Sequence, residues 1–224
     1  MSELTAPRFV FAAGGTGYVG RRLMPALLAR GHRVRALARP GSEGKLPEAC
    51  ERVAGDALDA ATFAPRVPPC DTFVQLVGVA HPSPAKAAQF RTVDLASVRA
   101  SAEAAAASGV RHFVYVSVAR PAPVMKEYQE VRAEGERIVR ETGIAATFLR
   151  PWYVVGPGHR WPAALVPAYW LLERIPWTRD AARRLGLVRL PAMVRALVAA
   201  VENPPAGVRV LEVPDIRAAA RAGS

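Results

Sequence analysis

The residues of this 224-residue chain predict an α/β fold, a doubly wound parallel sheet with a short C-terminal substrate or cap region. Three features carry that expectation. Apolar, β-rich runs alternate with longer helical patterns through the first two thirds of the chain, as parallel strands joined by right-handed crossovers do. A glycine-rich turn stands where the first apolar run meets the first helical pattern. After Arg150 the alternation gives way to PWYVVGPGHRWP, in which Pro151, Pro157 and Pro162 exclude a continuous helix.

In chain order, the expected strands are Arg8 to Ala12, Arg33 to Ala38, Arg52 to Ala54, Thr72 to Val77, His112 to Ser117 and Ala145 to Leu149. Most are apolar throughout, as strands covered on both faces are. Helical patterns fall at Tyr18 to Arg30, Pro84 to Ser108 and Met125 to Glu141, and the Ala-rich run Ala102 to Ala107 suits close packing on a sheet. The proline-broken stretch from Pro151 reads as a loop. Beyond it, Ala163 to Ile175 and Pro191 to Glu202 look helical, Val208 to Val213 extended, and Ala218 to Ser224 frayed. The division expected is a dinucleotide-binding unit over 1–158 and a small cap over 159–224.

A chain of this length buries a core without metal or disulfide staples. Cys50 and Cys70 have no ligand spacing and read as free thiols of a reducing compartment. Met1 to Arg8 lack a basic leader region and the following apolar run soon breaks at glycine, so a cytoplasmic location is expected. No window reaches the roughly 20 apolar residues of a bilayer span, which leaves peripheral membrane contact open. The net charge of +11 is spread along the chain, and Lys45, Lys86 and Lys126 are the only lysines. Without a recognition motif that excess is too weak to make nucleic acid the expected partner, and oligomeric state stays open.

Gly14, Gly15, Thr16, Gly17, Tyr18, Val19 and Gly20 end the first strand and open the first helix. In that setting glycines give a tight turn, a close backbone approach to a pyrophosphate and close helix packing, with the phosphates facing the helix N-terminus. This is a Rossmann-type dinucleotide site. An NAD-specific site carries an acidic residue near the end of the second strand, but here Ala38-Arg39-Pro40 stands there. The planar fork of Arg39 suits a 2′-phosphate, which favours NADP, with NAD as the alternative because Glu43 lies near enough to reach a ribose hydroxyl.

GGTGYVG at 14–20, Gly55-Asp56, HFVYVS ending at Ser117, and TFLRPWYVVGPG at 147–158 together resemble the short-chain dehydrogenase/reductase superfamily. The closer likeness is to its atypical extended branch, the NAD(P)H-binding proteins similar to NmrA-like regulators and to an accessory subunit of respiratory complex I. The resemblance implies that Asp56 and Ala57 line the adenine. It likewise implies that Val77, Gly78 and Val79 pass the pyrophosphate and ribose, and that Pro151, Trp152, Tyr153 and Val154 flank the nicotinamide. It also implies a proton-transfer group of Ser117, Tyr128 and Arg132, the last standing where active members have lysine.

A helical i, i+4 pair puts Tyr128 and Arg132 on one face, where positive charge favours phenolate. Tyr128 can then serve as general acid toward a carbonyl, with Ser117 hydrogen-bonding its oxygen. The plain alternative is a surface stripe in which Arg132 pairs with Glu136. No histidine has metal-ligand company, so no metal site is expected. Aromatics at Trp152, Tyr153, Trp161, Tyr169, Trp170 and Trp177, near His159, Arg160, Arg174 and Arg179, line an apolar pocket, meet a membrane interface or close the core. The function expected is an NAD(P)(H)-dependent oxidoreductase acting on a small apolar carbonyl or alcohol, or a related epimerase or dehydratase. The alternative is a non-catalytic NAD(P)H-binding sensor or membrane-complex scaffold.

Overall fold

In the computed structural model, residues 6–158, 180 and 184–219 are described. The strand Phe9–Ala13 (β1) is buried at all five positions and leads through the glycine turn into Gly20–Ala29 (α1). Arg33–Ala38 (β2) and Glu51–Ala54 (β3) follow on one side of it, and Thr72–Gln75 (β4) on the other. Ala96–Ala107 (α2), His112–Val116 (β5), Lys126–Glu141 (α3) and Ala145–Leu149 (β6) continue outward. Tyr153–Val155 (β7), Leu187–Arg189 (β8), Leu190–Glu202 (α4), Val208–Leu211 (β9) and Val213–Ala218 (α5) complete the described elements.

The sheet order is β3-β2-β1-β4-β5-β6-β9, with every neighbouring pair parallel. The strand order therefore reverses direction between β1 and β4, and the crevice beyond their carboxyl ends is the place where such sheets bind ligands. Period-two alternation divides the core. Val10 and Ala12 face a cluster with Leu23, Met24 and Leu27 of α1 and Met193 and Leu197 of α4. Phe11 faces the other way, and in register with it Phe73 and Phe113 form a row with ring centroids 5.1 and 5.3 Å apart. Ala102, Ala104 and Ala105 of α2 are buried in this second cluster, their small side chains leaving room for the rings.

Three expectations change. The helix expected over Pro84 to Ser108 is interrupted, with a 3₁₀ turn at Pro84–Lys86 and a π-helical stretch at Phe90–Leu95 before α2. The wider π turn carries Phe90, Asp94 and Leu95 to the buried side. The strand expected to run to Val77 stops at Gln75, whose side-chain oxygen accepts from the Val77 amide at 3.2 Å and turns the chain. The segment after Pro151 is also more than a loop, since β7 pairs in parallel with β8 in a second, two-stranded sheet. The helix expected at Ala163 to Ile175 lies outside the described residues, as do His159, Arg160, Trp161, Tyr169, Trp170, Arg174, Trp177 and Arg179. Among the described residues no helix is long and apolar enough to cross a membrane.

Candidate active site

The glycine turn is built by close approach. Gly14 has φ +88°, and a Cβ there would lie 2.9 Å from the Leu76 carbonyl carbon and the Val77 nitrogen. A Cβ at Gly20 would lie 2.3 Å from the Gly14 oxygen, so the helix can begin against the turn only without a side chain. The turn after β1 and the turn after β4 are thus in backbone contact at the switch point. Val19 caps α1 with no side-chain hydrogen bond, and the first turn carries no acidic residue. The amides of Gly17, Arg21 and Arg22 donate to carbonyls within the turn, and the uncompensated positive helix end is what fits a pyrophosphate.

On the adenosine side, Arg39 is exposed just beyond β2 and enters no ion pair among the described residues. Asp56 follows β3, where its carboxylate accepts from the Leu58 amide at 3.0 Å and its amide donates to Thr62 Oγ1 at 3.0 Å. Ala57 is half-buried beside it. Tyr18, Arg21, Arg22, Pro157 and Leu190 line a small pocket over the start of α1. Across it, a Cβ at Gly156 would fall 2.7 Å from the Tyr18 hydroxyl.

Beyond β5 and β6 the chain continues side by side, with the Ser117 amide donating to the Leu149 carbonyl at 2.7 Å and Ala119 to Pro151 at 3.0 Å. Trp152 and Tyr153 meet edge to face at 5.5 Å, and Trp152 and Val154 pack onto the α1 and α4 core. Tyr128 is half-buried on α3 with its ring 4.9 Å from Phe90 and the Arg132 guanidinium carbon 5.1 Å from its centroid.

The structure brings Tyr128 and Arg132 together on α3, and Arg132 reaches the backbone just before Ser117. Arg132 is tied to Asp94 at 2.5 Å, to the Val116 carbonyl at 3.0 Å and to the Tyr115 hydroxyl at 3.3 Å. The pairing with Glu136 suggested by i, i+4 spacing does not form. Glu136 instead accepts from Arg150 at 2.6 and 2.8 Å and from Arg120 at 2.8 Å. Arg150 reaches on to Glu212 at 2.9 Å. Burial works to raise the Glu136 pKa, but the hydrogen bonds from Arg150 and the charges of Arg150 and Arg120 hold it below the usual carboxylate value. The buried Ser117 hydroxyl has no hydrogen-bond partner among the described residues.

Arg132 does act to lower the Tyr128 pKa, but it does not set the net direction. Burial raises it, and Arg132 pulls only partly the other way because the charge of Asp94 opposes it. At neutral pH Tyr128 is a phenol. Burial likewise pushes the Asp94 carboxyl upward against the pull of Arg132 and the Val79 amide. Residue patterns did not single out Asp94 or Arg150. A polar stripe of Asp94, Ser97 and Ser101 at helical spacing, all buried, and an arginine closing the apolar strand before Pro151, were the available signals. Among the described residues no group of three or more His, Cys, Asp or Glu is arranged to hold a metal.

A family described as NAD(P)H-binding matches residues 14–158. The chain is 28% identical over 212 residues to a ceramide reductase of Caulobacter vibrioides, an alignment covering 93% of this chain but 65% of that protein. It therefore spans less than two thirds of that curated relative. It is 32% identical over 228 residues to a 3-diazoavenalumate denitrifying reductase of a Streptomyces species, covering 88% of this chain and 73% of the relative. Among solved structures, UDP-galactose 4-epimerase superposes with TM-score 0.68 at 19% identity, covering 96% of this chain and 83% of that one. The Bordetella bronchiseptica enzyme WbmH in complex with NAD+ gives TM-score 0.68 at 19% identity over 92% of this chain and 75% of that one. At such identities the structures show the fold alone. With the glycine cradle and uncapped helix end, the family match makes the cofactor a nicotinamide dinucleotide, and the chain belongs to the NAD(P)H-binding family.

Proposed function

We propose that this protein is an NADP(H)-dependent reductase of small, largely apolar carbonyl compounds, with Tyr128 as the proton donor. The observation that carries the proposal is the placement of Tyr128: half-buried on α3 against Phe90 and Arg132, it is a phenol at neutral pH and so has a proton to donate. A bound nicotinamide dinucleotide supplies the hydride-transfer chemistry. The chain's own residues hold and orient. Amides of the turn from Gly14 to Gly20 bind the pyrophosphate at the start of α1, and the exposed Arg39 takes a 2′-phosphate as a bidentate partner. Asp56 and Ala57 border the adenine, and Val77, Gly78 and Val79 carry the middle of the dinucleotide. The loop from Pro151 to Val154 excludes water from the reacting end, where the Tyr128 hydroxyl donates its proton to the substrate oxygen. The names of the two curated relatives, both reductases, support the reductive direction.

The locked Arg132 favours a second reading, a dinucleotide-binding sensor or scaffold without turnover, because a cation tied to Asp94 gives Tyr128 little help. Titration of the purified protein with NADPH and NADH, in wild type and Arg39→Ala, followed by a carbonyl screen with Tyr128→Phe as control, separates the two. The expected result is a preference for NADPH that falls at least about tenfold in Arg39→Ala, the worth of one charge-assisted contact. NADPH oxidation should depend on Tyr128. Tight binding with no turnover across the screen would favour the sensor, and absence of binding would remove both.

A further inference from the structure

Asp94 and Arg132 are 38 residues apart, and their side chains are 0% and 7% exposed. The Asp94 carboxylate uses both oxygens. One holds Arg132 Nη2 at 2.5 Å, and the other accepts from the Val79 amide at 2.9 Å. On the far side, Arg132 Nη1 donates to β5 through the Val116 carbonyl and the Tyr115 hydroxyl. A Cβ at Gly78 would fall 2.2 Å from Arg132 Nη2, so the missing side chain in that turn is what admits the guanidinium. The π turn before α2, the turn after β4, the end of β5 and α3 thus converge on one buried ion pair.

We propose that Asp94 is a positioning residue of this site: by holding the Val79 amide and the Arg132 guanidinium together, it ties the turn after β4 to the helix carrying Tyr128 and makes Arg132 half of a neutral pair. The inference rests on the reading of Tyr128 as proton donor, because a neutral pair leaves the phenol its proton. A lone guanidinium about 5 Å from the ring would favour phenolate. A carboxylate at 2.5 Å from that guanidinium opposes its pull on Tyr128, and burial, the largest influence, decides the protonation state. The other groups around Tyr128 do not replace the lost field. Phe90 is apolar, Tyr115 is neutral and shares Arg132, and the adjacent Glu127 lies 3.7 Å from Arg91 on the exposed side.

The test is the ionisation of Tyr128 in the full chain without added cofactor, followed by NMR of ring-labelled tyrosine, with Tyr128→Phe to assign the signal. In Asp94→Asn the midpoint should fall by at least about one pH unit, a tenfold loss of proton affinity. A folded Asp94→Asn protein with an unmoved midpoint overturns the proposal. That variant leaves a buried guanidinium uncompensated and can fail to fold, so Asp94→Asn/Arg132→Gln supplies the second arm. There a neutral amide pair replaces a neutral ion pair, and the midpoint should stay within about half a unit of wild type. A rise of about one unit or more would mean that Arg132 acts on Tyr128 as an uncompensated cation, which also overturns the proposal. Neither arm uses turnover. Failure of the carbonyl screen alongside the expected titrations would remove the reductase reading and leave the role of Asp94 standing.

Discussion

His112 lies in β5 with Nε2 3.0 Å from Thr147 Oγ1 and Nδ1 3.4 Å from Thr72 Oγ1, bridging the two flanking strands through neutral hydrogen bonds. It is 1% exposed, and burial, helped by the charges of Arg209 and Arg8, lowers its pKa from 6.5 to about 4. Because the folded value is the lower one, the unfolded chain binds the extra proton first. The stability held by neutral His112 is complete above pH 6.5 and drains away as pH falls toward 4. Over that window the loss attributable to His112 should approach about 3 kcal/mol. Urea unfolding of wild type and His112→Gln at pH 7 and pH 4 checks this, and equal acid losses in the two proteins would refute it. The thiols of Cys50 and Cys70, both free, are pushed by burial to about 11 and about 12, which leaves them protonated and unreactive at neutral pH.

At the scale of elements, the group around Glu136 fixes the end of β6. Arg150 joins α3 through Glu136 to the start of α5 through Glu212, and Glu212 with Asp215 forms a capping box on α5. The Glu136 side chain is 1% exposed, so removing its principal partner leaves a buried carboxylate with Arg120 at 2.8 Å and Arg140 at 3.9 Å as its remaining ion pairs. Arg150→Met should therefore cost about 3 kcal/mol, the lower end for a broken buried pair, since Arg120 stays. A double-mutant cycle with Glu136→Gln measures the coupling. An interaction energy near zero would mean that Pro151 and Trp152 are held by backbone pairing alone. The local pattern of α3 predicted a helix and a face, and both are present. It could not predict the close partners, because i, i+4 spacing offered Arg132 and Arg140 for Glu136, of which only Arg140 pairs, at 3.9 Å, while Arg150 and Arg120 bind it more closely.

For the whole molecule, a dinucleotide that bridges the turns after β1 and β4 binds only the folded chain and stabilises it by mass action. NADPH at 100 times its dissociation constant should add about 2.7 kcal/mol, a rise in Tm of about 5–10 °C for a chain of this size. Thermal unfolding with NADPH in wild type and Arg39→Ala, each at equal multiples of its own dissociation constant, should give equal shifts. Unequal shifts would mean that Arg39 also supports the fold.

The parallel doubly wound sheet, the glycine turn and the class of cofactor were all legible in the chain itself. Apolar runs of strand length and glycines that must lie against backbone are demands each segment makes locally, and Arg33–Ala38 and Ala145–Leu149 match their expected bounds. The π turn that buries Asp94, the parallel pairing of β7 with β8, and the choice of Asp94 over Glu136 as the partner of Arg132 depended on the tertiary structure. Each joins groups distant in sequence, and which charges end up buried together is fixed only when the sheet brings their elements to one place.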